Sequence, residues 1–263
     1  MSRIDHRGST RAERLTEERV FVRHGFSSDA GSTRRCPADV ACVGCYEDGV
    51  SALTSLLGSP VWPSSVAIWC VGAFLAGSVP FGLLLALAFG RTDVRKAGSG
   101  NIGATNVARV AGRRLGLLTL VLDALKGFVP AAAARSAASP AGLGEEAGAL
   151  FAGLVGLAAL LGHCFTPWLR LRGGKGVATG LGTLLALFPA VAGYGLVAFT
   201  IAFAATRIVS VASLSAACVV VVLLLVGEHG GAVVAPMVAS LCIVVVRHAD
   251  NIRRLAHRRE LPP

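Results

Sequence analysis

The chain has 263 residues, 54% of them hydrophobic and 15% charged, with a mean hydropathy of +0.66. Soluble domains carry about 25% charged residues, so an ordinary soluble globule is excluded, while 32 glycines suit closely packed membrane helices. The net charge of +10 is not a nucleic-acid footprint: through residue 65 eight arginines meet eight acidic residues, and the whole surplus lies further on, in short gaps between apolar stretches.

Residues 1–60 are polar, rich in Arg, Ser and Gly and without sustained periodicity, which predicts a disordered tail. No charged start with an early apolar core marks a signal peptide. The tail carries CPADVACVGC, with Cys36, Cys42 and Cys45; no second pair completes a four-ligand zinc site, so incidental cysteines are the simpler reading. Cys70, Cys164, Cys218 and Cys242 sit in apolar surroundings and read as small hydrophobes.

Residues 61–260 read as an all-α, polytopic integral membrane domain with seven transmembrane helices, at about 66–89, 117–134, 147–164, 177–188, 189–206, 208–226 and 231–247. The run 177–206 is too long for one upright helix and is divided at Pro189. The basic residues test this count. With seven spans, the gaps at 90–116, 165–176 and 207 and the C-terminal tail share one side, and they hold fifteen of the seventeen Lys and Arg beyond residue 65. The opposite gaps hold Arg135, Glu145, Glu146 and Glu228. Basic residues favour the cytoplasmic face, so the N-terminus is expected outside and the C-terminus in the cytoplasm.

Three same-side loops carry the chemistry. The first, KAGSGNIGATNVARVAG at 96–112, sets Ser99, Asn101, Thr105, Asn106 and Arg109 among glycines, a pattern that can expose backbone N–H groups as an anion nest. The second, GHCFTPWLRLRGGKGVATG at 162–180, is not a nucleotide loop, because Lys175 is followed by Gly176 and Val177 rather than by Ser or Thr. Its glycines would let Lys175 approach a ligand unobstructed. His163 ends an apolar helix and is expected at the cytoplasmic interface, with Phe165 and Trp168 as interfacial anchors. In the third, VVVRHADNIRRLAHRRE at 244–260, His248, Asn251 and Arg254 share a face if the last helix continues. Asp123 and Lys126 stand at i and i+3 inside an apolar span, where ionisable groups pair or line a cavity. Lysine, arginine, imidazole and amides with few carboxylates suit an anionic, phosphorylated substrate. Ligand spacing for a metal and a nucleophile elbow are both missing, so no metal or cofactor is expected, and alignment with charge stabilisation is the expected chemistry.

GSGNIGATNVAR at 98–109, the GH, F and GGKGVATG arrangement within 162–180, and RHADNIRRL at 247–255 resemble, in this order, the bacterial acyl-phosphate-dependent glycerol-3-phosphate acyltransferases. The resemblance covers about residues 66–260 and leaves the tail outside. It implies a seven-span enzyme of the bacterial inner membrane that acylates the 1-hydroxyl of glycerol 3-phosphate from acyl phosphate, releasing lysophosphatidic acid and inorganic phosphate, the first step of phospholipid synthesis. By that similarity Ser99, Arg109, Lys175 and His248 bind and neutralise the acceptor phosphate, Asn251 orients substrate and Asn101 shapes the pocket. Lys175, His248 and Asn251 form the catalytic set. Ser210 and Ser213 both match a family serine. The resemblance also implies that the hydroxyl attacks directly, its proton passing to a substrate phosphate oxygen or to a protein group. Membrane lipids and an acyl-phosphate-forming enzyme are candidate partners, nucleic acid is not, and a monomer suffices.

Three departures stand out. Thr166 separates Phe165 from Pro167; Leu171 and Arg172 replace the usual residues before GGKG; and Arg258 stands where a glycine commonly precedes the acidic residue, here Glu260. Two other classes compete. A transporter of a phosphorylated metabolite would place its polar groups near mid-membrane. A phosphatidyl-transfer enzyme would need a carboxylate-rich metal site.

Overall fold

Proline and glycine set the punctuation of the fold. In the computed structural model, which describes residues 62–257 apart from Glu228, together with Thr54, the secondary structure is helical. Helix α1 (Trp62–Ser78) and α2 (Phe81–Ala88) are parted at Pro80, which lacks the N–H that would continue the first helix, yet together they form one apolar span from Ser65 to Ala88. The short α3 (Ala104–Ala111) leads through Gly112 into α4 (Arg113–Ala138), and α5 (Glu145–Cys164) follows. Arg135 closes the α4–α5 connection by donating to the Glu145 carbonyl at 2.7 Å. After a 3-10 turn at Pro167–Leu169 come α6 (Val177–Leu187), α7 (Pro189–Thr206), α8 (Val209–Val226), α9 (Gly231–Arg247) and α10 (Ala249–Ala256). The tail through residue 53 with its three cysteines, and Glu228 and Glu260, lie outside the described residues.

This is an all-α polytopic membrane protein. Five described segments are long and apolar enough to cross a membrane, and α9 with α10 adds a sixth if the pair, bent by 47°, counts as one. The expected break at Pro189 is present: its ring opens α7 at a position that needs no amide donor. The short segment expected at 177–188 is α6, whose 11 residues reach only about 16 Å at 1.5 Å per residue, roughly half the hydrocarbon thickness.

Helix α5 is the axis of the bundle, with 72% of its apolar window buried against 11% for α7. Its Phe151 is fully buried and meets the Trp69 ring edge-on at 5.8 Å. Neighbours approach through small residues: a Cβ on Gly127 would lie 2.1 Å from the Thr179 carbonyl oxygen, and one on Gly182 would lie 1.9 Å from that of Ala124, so α4 and α6 touch backbone to backbone. Large apolar side chains such as Ile68, Ile201 and Leu225 face outward, where lipid rather than water is the natural neighbour.

Candidate active site

The first loop is wound around one side chain. Asn106, on α3 and 2% exposed, donates from its amide to the carbonyls of Val94 (2.9 Å), Ala97 (3.1 Å) and Asn101 (2.9 Å), while its Oδ1 accepts from the Ser99 N–H at 2.8 Å. Gly98, at φ +61°, passes so close that a Cβ would stand 2.2 Å from Asn106 Oδ1. The N–H of Gly103 is taken by Asn101 Oδ1 at 2.8 Å and that of Gly100 by the Ala97 carbonyl at 3.1 Å. The N–H groups of Ser99, Gly100 and Gly103 are therefore spent on holding the loop, while Ala104 and Thr105, the first residues of α3, border the cavity described below together with the side chains of the loop. Upstream, Arg95 grips Asp93 with two side-chain bonds of 2.9 and 2.8 Å, holding that carboxyl down at about 2.

In the second loop the glycines press onto the end of α5. Gly173 and Gly174 donate to the carbonyls of Cys164 (3.1 Å) and His163 (3.0 Å), and a Cβ on Gly174 would lie 2.0 Å from His163 Nε2. Beside the expected reason for these glycines, clear access for Lys175, stands a packing reason: only a bare backbone fits at Gly173 and Gly174. Thr166 Oγ1 donates to the Ser78 carbonyl (2.6 Å) and Trp168 Nε1 to Ser78 Oγ (2.8 Å), pinning the loop to the α1–α2 break. The Trp168 side chain is otherwise exposed, as an interfacial anchor would be.

The third loop bends instead of continuing straight. At His248 the chain turns by 47° from α9 into α10, yet His248, Asn251 and Arg254 still border one cavity. His248 Nδ1 lies 2.8 Å from the Val244 carbonyl, which can only accept, so Nδ1 carries a hydrogen and Nε2 is the remaining ring nitrogen. Lys175 Nζ hydrogen-bonds Asn251 Oδ1, joining the second and third loops.

The cavity has a volume of about 370 Å³. Ser99, Asn101 and Arg109 reach it from the first loop, Lys175 from the second, His248 and Asn251 from the third, and Ser210 and Ser213 from α8. All eight expected site residues are thus brought together, and the choice between the two serines stays open because both border the space; Ser213 Oγ also bonds the Val209 carbonyl at 2.9 Å. Leu117, Leu120, Phe199 and Val209 supply an apolar wall. A smaller cavity of about 150 Å³ shares Ser99, Asn101, Lys175, Asn251 and Arg254. Among the described residues, no group of three His, Cys, Asp or Glu side chains could hold a metal ion.

A family model for glycerol-3-phosphate acyltransferase matches residues 67–258. The chain belongs to this family. A glycerol-3-phosphate acyltransferase of Anaeromyxobacter sp. strain Fw109-5 is 48% identical over 191 residues, covering 71% of this chain and 91% of that relative. The crystal structure of an integral membrane glycerol 3-phosphate acyltransferase in its glycerol 3-phosphate form matches with a TM-score of 0.69 at 35% identity, over 76% of this chain and 96% of the other. The lysophosphatidic acid form of such an enzyme matches with a TM-score of 0.66 at 34% identity, over 75% and 95%.

The buried polar residues of the spans fall into place in this acyltransferase. Asp123 and Lys126 pair at 2.8 Å, and Lys126 Nζ also donates to the Val79 carbonyl at 3.1 Å, bracing the α1–α2 break, while Asp123 borders the cavity. His163, expected at the interface, is 4% exposed and lies between α4 and the glycine loop, its Nδ1 3.7 Å from Asp123 Oδ1. Burial follows from its place on the inward face of α5, which position at a helix end does not reveal. Sequence reasoning missed the organising roles of Asn106 and Arg247. An asparagine three residues after a glycine in a turn-rich stretch was a usable signal for the first. Nothing local signals the second.

Proposed function

We propose that this acyltransferase moves a fatty acyl group from acyl phosphate to the 1-hydroxyl of glycerol 3-phosphate, giving lysophosphatidic acid and inorganic phosphate. The observation that carries the reading is a single cavity bordered by Arg109, Lys175, His248 and Arg254 as well as by Leu117, Leu120 and Phe199. A phosphorylated lipid needs both kinds of wall. Bringing two phosphate-bearing substrates together is opposed by like charge, and Arg109, Lys175 and Arg254 offset that repulsion while Ser99 and either Ser210 or Ser213 add hydroxyl donors. Asn251 holds the Lys175 ammonium in place and orients the acceptor, and Asn101 shapes the pocket floor.

Alignment then does much of the catalysis. The 1-hydroxyl oxygen attacks the acyl carbonyl carbon, the new ester bond forms, and the bond from that carbon to the phosphate oxygen breaks. The hydroxyl proton leaves with a phosphate oxygen, or passes to His248 Nε2 when the ring is neutral. Either route ends in inorganic phosphate without an acyl-enzyme.

We place the acyltransferase domain at residues 61–260, after a polar tail, with seven crossings, the N-terminus outside and the C-terminus in the cytoplasm, so that the cavity opens to the cytoplasm. The short α6 serves as one crossing in this scheme. Its support is the clustering of Lys and Arg in alternate gaps. Purified protein in detergent or lipid, given glycerol 3-phosphate and either palmitoyl phosphate or palmitoyl-CoA, should form lysophosphatidic acid from the phosphate donor alone. Turnover with the CoA ester only, or none from well-folded protein, would overturn the reading.

A further inference from the structure

We infer that Arg247 positions Lys175 for the acceptor phosphate by gripping the carbonyls of the loop that carries it, a role that rests on the acyl-transfer reading above. Arg247 is the last residue of α9, 72 positions beyond Lys175 in the sequence. Its Nε donates to the Gly174 carbonyl at 3.1 Å and its Nη2 to the Gly173 carbonyl at 2.9 Å. The guanidinium carbon stands 5.6 Å from the centre of the Phe165 ring, a distance at which a cation is attracted to the ring.

Two adjacent glycines have the widest backbone freedom of any pair and no side chains with which to anchor themselves. Their conformation has to be imposed from outside, and it is imposed on both edges. The amide edge is held by the carbonyls of His163 and Cys164 at the end of α5. The carbonyl edge is held by Arg247. Lys175 is the next residue along, and its ammonium meets Asn251, which sits one turn beyond Arg247 on the far side of the bend. The clamp and the partner of Lys175 thus come from one corner of the chain, so the second and third loops are fixed relative to each other.

A planar fork is what this geometry demands. Arginine can serve two carbonyls at once, whereas a lysine in its place offers a compact point charge that can serve one well. Arg247 borders the smaller cavity, and the larger one, where Arg109 and Ser210 stand, does not include it. Its work is on the loop.

The test uses full-length protein and the variant Arg247→Lys, which keeps the charge. With one fork bond lost, KM for glycerol 3-phosphate should rise about tenfold, the scale of a charge-assisted bond, while kcat and the KM for palmitoyl phosphate stay within about twofold. In a Lys175→Ala background the same change should add less than about twofold, because the side chain it positions is gone. Should Arg247→Lys fail to purify as a folded protein, Arg247→Ala decides instead, and added methylguanidinium should restore part of its glycerol 3-phosphate KM. Wild-type kinetics for Arg247→Lys, an equal rise in both KM values, full additivity with Lys175→Ala, or no rescue of Arg247→Ala would each overturn the proposal. Failure of the underlying reading looks different: wild-type protein would make no lysophosphatidic acid, and calorimetric binding of glycerol 3-phosphate would then still report whether Arg247→Lys weakens the grip.

Discussion

The first and second loops are both glycine-rich and both border the same cavity, but they are held by opposite means. The first is self-contained: Asn106 lies within seven residues of Ser99 in sequence and ties the loop from inside through its amide. The second has no such spool. Gly173 and Gly174 lean on α5 through one edge and on Arg247, more than seventy positions away, through the other. A loop that winds around its own side chain can be reshaped only by changing that side chain. A loop held between two helices depends on the bundle being assembled first.

That contrast is sharpest at Asn106. Asn106→Ala would remove the partner of the buried Val94 carbonyl and of the part-buried Ala97 and Asn101 carbonyls and Ser99 N–H. At about 1–3 kcal/mol for each buried group left unpaired, and with some relaxation, a loss of about 3 kcal/mol in stability is expected, seen as a lowered thermal midpoint and loss of activity. A wild-type midpoint would show that the loop is held by something else. Lys175→Ala should leave the fold intact and weaken use of glycerol 3-phosphate by about 1.5–3 kcal/mol, tenfold to more than a hundredfold, the range of hydrogen bonds to charged groups. Unchanged steady-state kinetics would remove Lys175 from the site.

Gly174→Ala addresses the second loop through its packing. The new Cβ would need the space of the His163 ring, so an overpacking cost of about 1–3 kcal/mol is expected in thermal stability, with Lys175 displaced. If access for Lys175 were the reason for glycine there, the midpoint would not move and only KM would. The smallest effect belongs to Asp93, a partly exposed loop residue. Its folded pKa of about 2 lies below the ordinary 3.8 because of Arg95, so its contribution is present above 3.8 and fades as the pH falls through the folded value. Asp93→Asn should lower the midpoint by no more than about 1 °C at pH 7, and the two melting curves should converge on acidification. A gap that widens in acid would contradict the pairing.

The sequence made some of this plain and hid the rest for physical reasons. Helices α7, α8 and α9 fall within about a residue of the expected bounds because Pro189 and the apolar runs are local signals. The eight candidate residues that border the cavity were named from the sequence, those in the loops because phosphate chemistry calls for such side chains in short motifs, and Ser210 and Ser213 through the family resemblance. Long-range contacts were not legible. Thr166 bonding Ser78 across 88 positions, His163 turning inward toward Asp123, and Arg247 clamping two glycines are decided by how helices pack. The short run expected at 177–188 is the 11-residue α6, which by length does not join the five long apolar segments.

The central claim is that three loops from alternate ends of the spans form one cytoplasmic pocket for a small phosphate ester. Single cysteines introduced in place of Ser99, Lys175 and His248, in a chain whose native cysteines are replaced, test it in sealed inverted and right-side-out vesicles with a membrane-impermeant thiol reagent. All three should be labelled only from the cytoplasmic face, and glycerol 3-phosphate should slow the labelling of the cysteine at position 99, where the remaining donors still bind it. Labelling of the three positions from different faces would contradict the account.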